Sequence, residues 1–75
     1  MRAVKLTGKT AKGKNKINES GKPDHWIISE TREYVSFSDR KGPWLHVYPD
    51  NNSGPDKSRW VHAYDDINFN VELIP

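Results

Sequence analysis

Two stretches carry the side chains with the most chemical reach. They are Gly42-Pro-Trp-Leu-His-Val-Tyr-Pro49 and Ser58-Arg-Trp-Val-His-Ala-Tyr64. In an extended chain, residues two apart share one face. Trp44, His46 and Tyr48 therefore form one stripe, and Trp60, His62 and Tyr64 a second, each backed by small aliphatic residues. Exposed aromatic stripes let small β-barrels stack the bases of single-stranded nucleic acid, each base adding about 1–3 kcal/mol. Arg59, just ahead of the second stripe, supplies a guanidinium that stacks on a base or holds a phosphate. The competing demand is the core, because burying one Trp removes up to about 250 Å² from water. Burial is expected for Trp26 and one other tryptophan, with part of the two stripes left as a ligand face.

The second feature is charge. Residues 1–22 hold seven basic side chains against Glu19, a net of +6, and residues 23–75 hold five basic against nine acidic, a net of −4. The overall +2 conceals this division. A basic segment on an acidic body is a common signature of polyanion binding. Lys9, Lys12, Lys14, Lys16 and Lys22 alternate with Thr, Asn, Ser and Gly. The lysines suit phosphates, and the hydroxyls, amides and backbone N–H groups suit their oxygens.

Other chemistries find little purchase. There is no cysteine, which excludes disulfides, thiolate metal sites and thiol catalysis. His46 and His62, if neighbours across two strands, supply two metal ligands, but spacing fixes no third, so neither metal nor cofactor is expected. Ala3 to Thr10 matches a relaxed phosphate-loop pattern in a chain too short for the α/β domain which that loop requires. Asp24-His25, Asp65-Asp66, Glu30 and Glu33 read as turn or surface groups rather than an acid–base pair. Asp50 to Asp56 reads as a polar turn without the spacing of a calcium loop. An enzyme is not expected. No apolar run is long enough to span a membrane, and the N-terminal residues lack the apolar core of a secretory signal. A cytoplasmic location is expected, consistent with the absence of cysteine.

The elements that must position these residues read as β. Seventy-five residues suffice for one domain with a small core. Ala3 to Leu6 and His25 to Glu30 form strand candidates. Asn68 to Leu73 alternates cleanly, with Phe69, Val71 and Leu73 facing inward. The two aromatic stretches make an antiparallel hairpin. Apolar residues fall at even positions at Trp26 and Ile28 but at odd ones at Val35 and Phe37. That change of face demands a turn or a bulge, placed at Thr31 to Glu33, with a further strand at Tyr34 to Phe37. Residues 7–24 read as a long, basic, flexible first loop, with one helical turn from Asn15 to Ser20 closed by Gly21. About five to six short strands with regular turn signals point to an all-β fold. The expected architecture is a single small SH3-like barrel, or a compact antiparallel β-sandwich.

The resulting expectation is a small nucleic-acid-binding barrel, with single strands favoured over duplex. Lys9, Lys12, Lys14, Lys16 and Lys22 engage phosphates; Arg59, Trp44, His46, Tyr48, Trp60, His62 and Tyr64 face bases or sugars. The alternative is a protein-binding module, an adaptor or a small phage-type inhibitor acting through its Trp and Tyr surface, as monomer or homodimer. Trp, Tyr and Arg are the residues enriched at protein hot spots.

Overall fold

A computed structural model of the protein describes residues 3–51 and 54–74, without the side chains of residues 54 and 55. Strand β1 (Ala3–Gly8) leads into helix α1 (Ala11–Glu19), then β2 (Trp26–Arg32) and β3 (Trp44–Pro49). A short 3-10 turn (Gly54–Lys57) precedes β4 (Arg59–His62), and β5 (Phe69–Ile74) closes the series. The strands form one antiparallel sheet in the order β4-β3-β2-β1-β5. After the turn that follows β4, β5 crosses back to pair with β1, from Ala3↔Ile74 to Gly8↔Phe69. The sheet curls into the small all-β barrel expected from the sequence, left open between the edge strands β4 and β5.

The inner face of the curl carries the core. Val4, Leu6, Trp26, Leu45, Val47, Val61, Ala63 and Phe69 form one buried cluster, with Ile17, Ile28 and Val71 packed against it. Each large aliphatic side chain buried in this way contributes about 1.5–3 kcal/mol. The alternation of β1, β3 and β4 puts the aliphatic partner of each aromatic stripe on this inner face. In β2 the change of face occurs at Ser29, where a bulge shifts the register between Ile28↔Val47 and Glu30↔His46. One extra residue turns Thr31, rather than Glu30, inward opposite Leu45. The bulge thus lies earlier than the break expected at Thr31 to Glu33.

Three further expectations need correction. Tyr34 to Phe37 is not a ladder strand but a tight turn closed by a single Val35↔Ser38 bridge. Phe37 is therefore 62% exposed instead of buried. Leu73 does point inward beside Val4, yet it is 52% exposed, because it lies at the open mouth of the barrel. The third concerns residues 7–24, which are organised around α1 rather than left as a loop. Thr10 is the N-cap: its Oγ1 accepts from the Gly13 N–H at 3.1 Å. At the other end, Lys22 N–H donates to Ile17 O and Gly21 N–H to Asn18 O. These two bonds make a Schellman motif with Gly21, at φ 83°, in the left-handed position.

Helix α1 seals one end of the barrel. Ile17 reaches the core, and Gly13 is buried against the backbone of Asn68. Lys9 N–H donates to Asn68 O at 2.8 Å, and Thr10 Oγ1 donates to Asn68 Oδ1 at 2.9 Å. Among the described residues, the far end has no such plug. Ile28, Thr31, Leu45, Ala63, Tyr64 and Leu73 line an open, largely apolar mouth of about 540 Å³ there.

Candidate nucleic-acid interface

The hairpin register decides what the aromatic stripes can do. Trp44 pairs with His62 and His46 with Trp60. Each histidine therefore faces a tryptophan, and the two histidines are not cross-strand neighbours as the sequence allowed. All four side chains stand on the outer face of the sheet, but they meet different surroundings. The connection between β2 and β3 folds back over the first pair. Trp44 Nε1–H donates to Arg40 O at 2.9 Å, and its ring meets Phe37 edge-on at 5.5 Å and His62 edge-on at 5.0 Å. Both residues are buried, at 5% and 6% exposure. His62 is fixed at both nitrogens. Its Nε2 lies 2.9 Å from Lys41 O, which can only accept, so that nitrogen carries the proton. Nδ1 then accepts from the Tyr64 and Asp65 N–H groups at 3.3 and 3.1 Å. Trp44 and His62 are thus structural contacts.

The second pair stays half-exposed. The His46 and Trp60 rings stack at 4.7 Å and 22°, and Arg32 Cζ stands 5.4 Å from the Trp60 ring while its Nε–H binds the Glu30 carboxylate. Ser29 Oγ lies 3.3 Å from His46 Nδ1. Tyr48, also half-buried, sits on the same face opposite Ile27. Tyr64 lies beyond the end of β4, is 75% exposed and lines the apolar mouth instead of continuing the stripe. Of the six stripe residues, three share an accessible face: His46, Tyr48 and Trp60. Arg32 completes that patch, and it went unnoticed in the sequence because the Ser29 bulge is what turns it outward.

The basic residues lie around α1. Lys12 and Lys16, one helical turn apart, share a side of the helix. Lys16 ion-pairs with Glu19 at 3.7 Å. Lys9 Nζ reaches the Asp66 carbonyl at 3.2 Å, and Lys12, Lys14 and Lys22 are exposed. Arg59 stands apart from the lysines. It is half-buried at the start of edge strand β4, with its Cζ 5.3 Å from the Phe69 ring centroid. Burial lowers its pKa from the ordinary arginine value, while the charges of Asp66 and Glu19 act in the opposite sense.

Arg59 lines a cleft of about 200 Å³ along the free edge of β4. Phe37, Arg40, Trp44, Trp60, Asp66 and Asn68 are among its other walls. Of these, Trp44 and Trp60 were legible as site residues in the sequence.

Comparison with protein-family models, with curated proteins and with solved structures found no match.

Asp66 organises the wall opposite β4. Its Oδ2 accepts from His62 N–H at 2.9 Å, and its Oδ1 from the N–H groups of Asn68 and Phe69 at 2.9 and 3.2 Å. The carboxylate of its neighbour Asp65, among the described residues, meets only Arg40, at 2.9 Å on the surface.

Proposed function

We propose that the protein binds nucleic acid in the cytoplasm, single strands in preference to duplex, using the lysines around α1 and the polar groups along the β4 edge. The observation that carries this reading is the pattern of charge pairing. In residues 23–75, three of the five basic side chains have a carboxylate partner: Arg32 with Glu30, Lys41 with Glu33 at 3.1 Å, and Arg40 with Asp65 at 2.9 Å. Asp50 also has a neighbour, His25 Nε2 at 2.7 Å. Around α1 the pattern differs. Among the described residues, only Lys16 of the basic N-terminal segment has a carboxylate within ion-pair distance. Lys9, Lys12, Lys14 and Lys22 are left as a positive surface, and phosphate backbones bind such surfaces by releasing counterions. The half-exposed His46, Tyr48 and Trp60 support the preference for single strands, whose bases are free to meet aromatic rings.

Fluorescence anisotropy with labelled oligonucleotides tests the reading. Replacing Lys9, Lys12, Lys14 and Lys16 with Ala weakens binding and lowers the salt slope by roughly 3, at about 0.7 per phosphate of a single strand. Equal affinity and slope in the two proteins would refute it. One observation favours the protein-binding alternative: Tyr64, Leu73 and Ile74 are all exposed at the apolar mouth. Apolar clefts of that kind often mark contact sites. An absence of oligonucleotide binding even at low salt, together with salt-tolerant self-association abolished by Leu73→Asp, selects that alternative.

A further inference from the structure

Edge strand β4 has no strand partner on one side of its backbone, and the direction of each N–H along it can be read from two bonds. Ala63 N–H donates towards β3, to Pro43 O at 3.0 Å, and His62 N–H donates away from it, to Asp66. N–H groups alternate in direction along a strand, so that of Trp60, two residues before His62, points to the free edge. The cleft described above opens at this edge. The Arg59 side chain beside it is half-buried, its Nε is fully buried without a hydrogen-bond partner, and no carboxylate of the described residues lies within ion-pair distance. A guanidinium taken partly out of water and left without an anion is costly, and an arriving anion offsets that cost. The planar fork of Arg matches phosphate oxygens better than the point charge of Lys.

We infer that this cleft holds one phosphate group of a bound strand, on the Arg59 guanidinium and the Trp60 N–H. The inference rests on the nucleic-acid reading above and deepens it. Asp66 is the charge that opposes an anion here. Both of its carboxylate oxygens are occupied by backbone N–H groups, Lys9 Nζ binds its carbonyl oxygen, and Arg40 lines the same cleft. Asn68 forms part of the cleft wall, and its other contacts are with Lys9, Thr10 and Gly13 of the helix entry. The lysine surface and the cleft therefore share a wall, so neighbouring phosphates of one strand reach both. Phe37, exposed at the rim, offers a ring to the adjoining sugar or base.

The test follows the Arg59 Nε–H resonance of labelled protein during titration with a short oligothymidylate, with inorganic phosphate as a parallel probe. Arg59→Met removes the guanidinium but keeps an apolar side chain, and Arg59→Lys keeps the charge without the fork. The expected result is a shift of the Arg59 resonance on oligonucleotide binding. Affinity falls roughly tenfold or more in Arg59→Met, as loss of a hydrogen bond to a charged group requires, and Arg59→Lys recovers only part of it. If the wild-type protein binds the strand while the resonance stays still and Arg59→Met binds equally well, the inference falls and the nucleic-acid reading stands. No strand binding at low salt overturns both. A shift with inorganic phosphate but none with the strand also overturns the inference, since the cleft then serves free phosphate. The resonance readout needs no variant, so it decides the matter even where Arg59→Met fails to fold.

Discussion

Gly13→Ala separates helix propensity from helix seating, and the two give opposite signs. Gly costs about 1 kcal/mol relative to Ala in a helix interior, so propensity alone makes the substitution stabilising. In the folded protein a Cβ at Gly13 overlaps the carbonyl oxygen of Asn68 and lies 3.0 Å from its carbonyl carbon. Carbon atoms pack at about 3.5–4.0 Å, so α1 must withdraw by at least about 0.5–1 Å. The obstacle is backbone, not the end of a flexible side chain. Withdrawal stretches the bonds from Lys9 N–H and Thr10 Oγ1 to Asn68, worth about 0.5–1.5 kcal/mol each. It also lifts Ile17 partly off the core, at about 1 kcal/mol. The gross loss of about 3 kcal/mol exceeds the propensity gain and leaves a net destabilisation of about 2 kcal/mol. In a domain of this size that lowers Tm by about 8–16 °C. The assay is thermal and urea unfolding followed by circular dichroism, with Asn15→Ala on the exposed side of α1 as the control that gains stability. A Gly13→Ala protein as stable as the wild type, or more so, would refute the seating of α1 on Asn68.

Two further comparisons test the assignment of structural and exposed roles. Trp44→Ala removes a buried indole and is expected to cost about 3–5 kcal/mol, a large share of a small domain's stability, measured by urea titration. Trp60→Ala, at the half-exposed position, loses about 0.5–1.5 kcal/mol of ring stacking with His46 plus a partial burial term, so it unfolds at clearly higher urea than Trp44→Ala. Asp66→Ala strands three backbone N–H groups and costs about 2–4 kcal/mol. Asp65→Ala breaks only a surface ion pair and costs about 0–1 kcal/mol. Equal losses for the two aspartates would show that the turn is not organised around Asp66.

Much of the fold was legible because β alternation is a local property. The period of two in β1, β3, β4 and β5 marks the strands and identifies their aliphatic faces without reference to any partner. The change of parity after Ile28 announced a bulge or a turn, since a strand cannot otherwise exchange faces. Gly21 marked the end of α1 for an equally local reason: its left-handed backbone suits a residue without a Cβ. The division of charge between residues 1–22 and the rest is a property of the sequence alone and survives folding intact.

What escaped the sequence depends on contacts between distant residues. The α1 segment has one large apolar side chain, Ile17, so no helical stripe could be read; its seat is Asn68, more than fifty residues away. The stripes Trp44–His46–Tyr48 and Trp60–His62–Tyr64 are near-copies, yet the hairpin register sets each Trp against a His, and the β2–β3 connection covers only one of the two pairs. Arg59 is one more basic residue in the sequence. Its place at an unpaired edge, against Phe69 and with no carboxylate of the described residues within ion-pair distance, arises only when β5 crosses back to β1 and brings residues 66–69 alongside β4. Local pattern determined which residues are strands and which side of each is apolar. Register and long-range closure decided which aromatics are buried and which cation sits half-buried at an open sheet edge, because those are properties of pairs of residues that no single stretch contains.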